Sequence, residues 1–181
     1  MFSRSRARVA VVVLSACAAF AVAQAAPAAP AATGGSVARV SALEAGVLAD
    51  MNALRRSHGL VPLRVSPALA AAAQQHSRAM AAGGFFAHES ADGSAFWKRV
   101  QRFYKQSRGY WSVGENLLWS SPDVDADGAI QMWLDSPPHR KNLLTARWRE
   151  VGISAIHVTA APGVFGGREV TILTADFGVR R

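Results

Sequence analysis

The chain has 181 residues, half of them hydrophobic, a formal charge of +8 and one cysteine, Cys17. A single cysteine excludes a disulfide-stapled scaffold. The basic residues are scattered (Arg55-Arg56, Lys98-Arg99, Arg140-Lys141, Arg147, Arg149), which reads as a solvated basic surface and not as a nucleic-acid module; attraction to anionic envelope polymers or lipids is the sharper alternative.

The N-terminal residues read as an export signal over residues 1–25. Arg4, Arg6 and Arg8 form a basic start, Val9 to Ala23 an uncharged apolar run, and Ala23-Gln24-Ala25 a small-x-small cleavage pattern. The run is shorter than the ~20 residues needed to span a bilayer. Cys17 follows Leu14-Ser15-Ala16, which resembles a lipoprotein acylation box; the residues after it stay apolar, which favours simple secretion. The expected location is therefore secreted or periplasmic, with a lipoprotein anchored through Cys17 as the alternative. Cleavage would remove three of the 20 Lys and Arg and leave 17 against 12 acidic residues. Residues 26–40 are rich in Ala, Pro, Gly and Ser and read as a flexible linker. Residues 41–181 suffice for one folded domain.

Within that domain, Ser41 and Glu44 form a capping box, and Leu43, Val47, Met51 and Leu54 recur at helical spacing up to Gly59. Leu60 to Val65 is an apolar connector. Ser66-Pro67 starts a second, alanine-rich helix with Leu69, Ala72, Ala73, His76 and Met80 inward, stopped by Gly83-Gly84. The alanines suggest close approach to a neighbouring layer. Phe85-Phe86-Ala87-His88 is an apolar loop. Ser94 is expected to cap a short helix through Phe103, with Phe96, Val100 and Phe103 or Tyr104 inward. Trp111 to Ser120 is apolar except for Gly114-Glu115-Asn116. A helix is expected over Asp123 to Asp135, broken by Ser136-Pro137-Pro138, then one more turn from His139 to Leu144. Val151 to Thr159 and Val170 to Gly178 read as two strands of a hairpin. Helices followed by a hairpin imply an α+β fold.

Five histidines need sorting. His58 lies by a helix end and reads as surface, His76 as a core residue, and His157 as a surface or pairing residue of a strand. His88 and His139 stand in loops with apolar or proline neighbours, where functional groups concentrate. Glu115, set among apolar residues, must be paired or hydrogen-bonded if buried. Two imidazoles and a carboxylate could hold a divalent metal, zinc first, or form an acid–base set. Glu115 could equally pin its own loop through backbone amides. Asn116 reads as structural, and Arg140 as a surface or groove-rim cation.

Taken together, several motifs resemble the CAP superfamily (cysteine-rich secretory proteins, antigen 5, pathogenesis-related proteins), in its bacterial, cysteine-free branch. They are Met51-Asn52-Ala53-Leu54-Arg55, Phe85-Phe86-Ala87-His88, Gly114-Glu115-Asn116-Leu117, the run from Trp133 to Leu144, Val151-Gly152-Ile153 and Ala175-Asp176-Phe177-Gly178. The resemblance implies a three-layer α-β-α sandwich with a central antiparallel sheet. It implies a groove lined by two histidines and acidic residues, onto which His88, Glu115 and His139 map. The family's second glutamate falls near Asp135 or Ser136, so Asp135 could replace it only by turning inward. Asp176 stands where the family often has glutamine; it is a further candidate acid, though an exposed strand-end carboxylate is the plainer expectation. The implied function is a groove-bearing binding module for a lipid, a glycan or other envelope polymer, or a protein. The alternative is a zinc-dependent hydrolase of peptide or phosphodiester bonds using His88, Glu115 and His139.

Overall fold

The computed structural model describes residues 34–106 and 109–181, with side chains from residue 41 onward. The export signal, Cys17 and residues 26–33 of the linker lie outside the described residues. Helix α1 spans Gly34–Ser57, strand β1 Arg64–Val65, α2 Pro67–Gly83, α3 Phe96–Phe103, β2 Trp111–Ser120, α4 Ala126–Asp135, α5 Pro137–Leu143, β3 Glu150–Ala161 and β4 Arg168–Arg180.

The strands form one sheet in the order β1-β3-β4-β2. β3 and β4 are the expected antiparallel hairpin, and β2 lies antiparallel on the other side of β4. β1 adds a two-residue parallel edge, Arg64 opposite Glu150 and Val65 opposite Val151. Alternation of side chains along β4 splits the core into two faces. Leu173, Ala175, Phe177 and Val179 pack with Val47 and Met51 of α1, Ile130 and Trp133 of α4 and Leu143 of α5. On the other face, Val170 and Ile172 pack with Met80 of α2, while Leu69 and Ala72 of α2 pack with Val100 and Tyr104. The fold is thus an α+β sandwich of three layers, with helices on both faces of the sheet.

The close approach foreseen from the alanines of α2 occurs at Gly152. A Cβ there would lie 2.0 Å from Ala70 N and 2.1 Å from the Leu69 carbonyl carbon, so the start of α2 rests directly on the β3 backbone. Ser66 caps α2 as expected, its Oγ accepting from Leu69 N at 3.4 Å with Pro67 in the first turn. Gly84 ends the helix at φ 64°, a left-handed conformation natural to glycine.

Three local expectations are corrected. α1 begins at Gly34, inside the stretch read as linker, so Ser41 and Glu44 do not form its start. Glu44 instead accepts a hydrogen bond from Ala155 N at 2.8 Å, serving β3 where β1 has already ended. Ser94 does not cap α3: Ala95 holds that place without a side-chain bond. Of the two aromatic candidates at its end, Tyr104 is buried and Phe103 is exposed. The segment from Trp111 to Ser120 is a strand, β2, despite its glycine, glutamate and asparagine.

Candidate functional site

β2 is an edge strand, and its outer rim is where the candidate residues gather. An edge strand leaves main-chain groups unpaired, and here side chains take them. Asn142 Nδ2 donates to Glu115 O at 3.0 Å, and Trp133 Nε1 donates to Leu117 O at 3.1 Å. Asn116 Nδ2 donates to His139 O at 3.1 Å, and Asn116 Oδ1 accepts from Asn142 Nδ2 at 3.0 Å. Asn116 thus ties α5, and with it His139, to the edge of the sheet.

Glu115 points to the opposite face from Asn116, as the period of a strand requires. Its side chain is fully buried, and it is paired, as a buried carboxylate must be. Oε1 accepts from His88 Nδ1 at 2.8 Å, and Oε2 accepts from Arg99 Nη2. Because a carboxylate only accepts, this bond puts a proton on His88 Nδ1. Arg99 also donates through Nη1 to His88 O at 3.2 Å and to Ser90 Oγ at 3.4 Å. One guanidinium thus fixes both the backbone and the ring partner of His88. Sequence reading missed Arg99, although a signal was there: with Phe96, Val100 and Phe103 it falls on the inward stripe of α3, where a charge requires a partner.

Asp176 is the second correction at the site. It is wholly buried, not exposed at a strand end. It sits on β4, directly across from Glu115 on β2 and from Gly152 on β3, so the pressing of α2 onto Gly152 helps seal it from water. Burial first, and the charge of Glu115 second, raise its pKa well above the usual carboxylate value, with Arg99 opposing. Burial and the neighbouring Glu115 thus favour the protonated form of Asp176.

The rings of His88 and His139 stand side by side, 6.2 Å between centroids and tilted by 54°. The His88 side chain is 46% exposed, and its ring also lies 6.4 Å from that of Phe96. Burial, then the neighbouring His88, lower the pKa of His139, which favours a neutral ring. The structure thus joins His88 to Glu115 and sets His139 beside His88.

Three further candidates lie on α4, on α5 and at the link between them. Asp135 is exposed and does not turn inward; its Oδ1 accepts from Gln131 Nε2 on its own helix at 2.8 Å. Ser136 is the link between α4 and α5 and makes no side-chain cap. Arg140 is exposed, with Nε donating to Leu134 O at 2.6 Å across the α4–α5 junction. His76 is a core residue, as expected, with Nε2 2.8 Å from Ala87 O. His58 is exposed, and His157 pairs with Thr171 and Glu169 at 3.1 and 3.0 Å.

Each Glu115 oxygen accepts one hydrogen bond, and among the described residues no group of three His, Cys, Asp or Glu side chains is arranged to hold a metal ion.

Comparison with known proteins agrees with the architecture. The 29% identity with an uncharacterized membrane protein of Bacillus subtilis, YlbC, runs over 110 residues, 61% of this chain but only 30% of that one. An extracellular protein containing an SCP domain from Bacillus anthracis superposes with a TM-score of 0.64 at 25% identity, over 85% of this chain and 45% of its own. A cysteine-rich secretory protein from Staphylococcus aureus shares the fold at a TM-score of 0.55 and 18% identity, over 78% of this chain and 40% of its own. The chain therefore spans less than half the length of each of these relatives. The model of the cysteine-rich secretory protein family, CAP, matches residues 48–171, more than half of the chain, and the chain belongs to that family.

Proposed function

We propose that this CAP domain works outside the cytoplasm as a binding module, with its ligand docking over the paired imidazoles of His88 and His139. The observation that carries this reading is the engagement of Glu115. With one oxygen bound by His88 and the other by Arg99, Glu115 is placed to orient the His88 ring. What it leaves available is His88 Nε2 beside the His139 ring. Two imidazoles at a surface offer hydrogen-bonding nitrogens and flat apolar faces. They suit a ligand with hydroxyl or amide donors, drawn from a lipid headgroup, an envelope polymer or a protein. The hydrolase alternative needs three protein ligands and an open position on zinc. Here zinc would find only the two imidazoles.

Export rests on residues 1–25, and the extracellular B. anthracis relative supports the same location. Among the described residues no helix is long and apolar enough to cross a membrane. Release and anchoring through Cys17 differ in the mass of the mature N-terminus. The binding reading is tested by incubating the purified full chain with envelope extract and identifying retained compounds by untargeted mass spectrometry. Retention of a compound that is lost in both His88→Ala and His139→Ala is the expected result. Conversion of the compound to cleavage products by wild type would overturn the reading in favour of a hydrolase, and equal retention by both variants would place the site elsewhere.

A further inference from the structure

The charges of this domain are sorted along its strands. β2 starts at Trp111, opposite Arg180, and ends at Ser120, opposite Thr171. At about 3.3 Å per residue the two ends of the sheet stand roughly 30 Å apart. At the Ser120 end lie Asp123, Asp125, Asp127 and Glu169, against Arg168. Ser121 Oγ donates to Glu169 O at 2.8 Å and Thr171 Oγ1 to Pro122 O at 3.3 Å, which ties these segments together.

The Trp111 end has the opposite sign. Arg64 N donates to Arg149 O at 3.0 Å, and Arg149 N to Gly178 O at 3.1 Å. Arg180 Nη1 donates to Lys105 O at 3.3 Å, and Arg181 N to Tyr110 O at 3.0 Å. The segments joined in this way carry Arg64, Lys105, Arg147, Arg149, Arg180 and Arg181, and among their described residues Glu150 is the one acid. Glu150 is held by the fold, its Oε2 accepting from the Tyr104 hydroxyl at 2.5 Å. Arg180 is stacked over the same ring, its Cζ 4.1 Å from the centroid, and stays exposed. Salt screens exposed charges beyond about 8 Å at physiological strength, so the acidic end does not cancel the basic one.

Apolar side chains stand exposed at the same end. Of the seven large hydrophobic side chains exposed among the described residues, four are here: Val61, Val65, Phe103 and Tyr110. Val65 follows Arg64 on β1, Phe103 precedes Tyr104, and Arg55 Nε donates to Val61 O at 3.0 Å from the last turn of α1. A soluble polyanion would pair with the arginines and leave these side chains in water. An anionic bilayer answers both: phosphates meet the cations, and the boundary below them takes the aliphatic and aromatic groups.

We infer that the basic end of the sheet is a docking surface for an anionic lipid bilayer, with Arg64, Lys105 and Arg147 at the headgroups and Val65 and Tyr110 reaching below them. The inference stands apart from the reading of His88 and His139. Glu115 and Asn116, which hold that pair, lie midway along β2, so docking by the end leaves the imidazoles clear of the membrane.

The test is co-sedimentation of the full chain with vesicles of equal parts phosphatidylglycerol and phosphatidylcholine, and with vesicles of phosphatidylcholine alone. The apolar run before residue 25 is common to every variant and cancels in their comparison. Wild type should prefer the anionic vesicles, less so at high salt. Joint replacement Arg64→Gln, Lys105→Gln and Arg147→Gln should weaken that binding about a hundredfold, at about fivefold for each charge. The control, Arg78→Gln, Lys98→Gln and Arg168→Gln, removes as much charge away from this end and should weaken it less than about threefold. Val65→Ser with Tyr110→Ser should weaken vesicle binding at least about fivefold while leaving binding to soluble dextran sulfate unchanged. Three results would overturn the inference: equal binding to the two kinds of vesicle, equal losses in the two charge variants, or undiminished vesicle binding without Val65 and Tyr110, which would assign this end to an anionic polymer instead.

Discussion

Replacing Asp176 with asparagine removes a proton that the fold must hold and keeps the shape of the side chain. In the native protein Asp176 is sealed between α2 and the sheet, and its pKa stands well above the ordinary value of 3.8. In the unfolded chain it titrates near that ordinary value. Between the two pKa values the folded state binds a proton that the unfolded state has released. Stability therefore falls as pH rises through this window, by about 1.4 kcal/mol for each pH unit. The substituted asparagine would not titrate, and its amide keeps a hydrogen-bond donor next to Glu115. Asp176→Asn should thus match wild type near pH 4 and gain on it steadily as pH rises, up to the native pKa of Asp176. His76, whose native pKa is lowered by burial, adds stability above pH 6.5 that is lost as pH falls; it is common to both proteins and cancels in their difference. Urea unfolding at pH 4, 5, 6, 7 and 8 measures that difference directly. Parallel stability curves, or an asparagine variant that is weaker at every pH, would refute the claim that Asp176 is held neutral.

Gly152→Ala should cost about 3 kcal/mol or more in urea unfolding, because the added methyl lands 2.0 Å from Ala70 N and α2 must lift off the sheet; a loss below about 1 kcal/mol would show that α2 yields easily. Glu115→Gln leaves the buried Arg99 guanidinium without its ion partner and should cost about 3–5 kcal/mol in urea unfolding at low pH. The same variant should lose less as pH rises, because without the Glu115 charge the pKa of Asp176 falls and its carboxylate can face Arg99; a loss independent of pH would contradict that exchange. In His88→Ala the pKa of His139, followed by NMR, should rise, because both its shielding from water and the charge of its neighbour decrease. An unchanged His139 would mean the rings do not sense each other.

The layers of the fold were legible because their signals are local. The Ser66-Pro67 start of α2, the inward stripe of that helix and the β3–β4 hairpin depend on residues adjacent in the chain. The capping-box pattern at Ser41 and Glu44 misled because a tertiary demand won: the N–H of Ala155, 111 positions away, takes the Glu44 carboxylate. β2 hid its nature because its polar residues serve opposite faces. Glu115 answers Arg99 and His88 on one, and Asn116 answers α5 on the other.

At the site, His88, Glu115 and His139 were visible as residue types out of place, and the structure brings them to one edge of the sheet. What could not be read was the way Glu115 is engaged, one oxygen by His88 and the other by Arg99. Arg99 could have been found from its place on the stripe of α3. The burial of Asp176 could not, since it depends on α2 closing over Gly152, far away in sequence.

The central claim is that the His88–His139 pair is the ligand-facing surface while Glu115 only orients it. Long-range ¹H–¹⁵N spectra of the histidine rings, recorded with and without the compound retained from envelope extract, test this directly. The account predicts that the Nε2 signal of His88 and the ring signals of His139 move on binding, with His88 Nδ1 still protonated and His58 and His157 unmoved. A ligand that leaves both rings unchanged, or that strips the proton from His88 Nδ1, would contradict it.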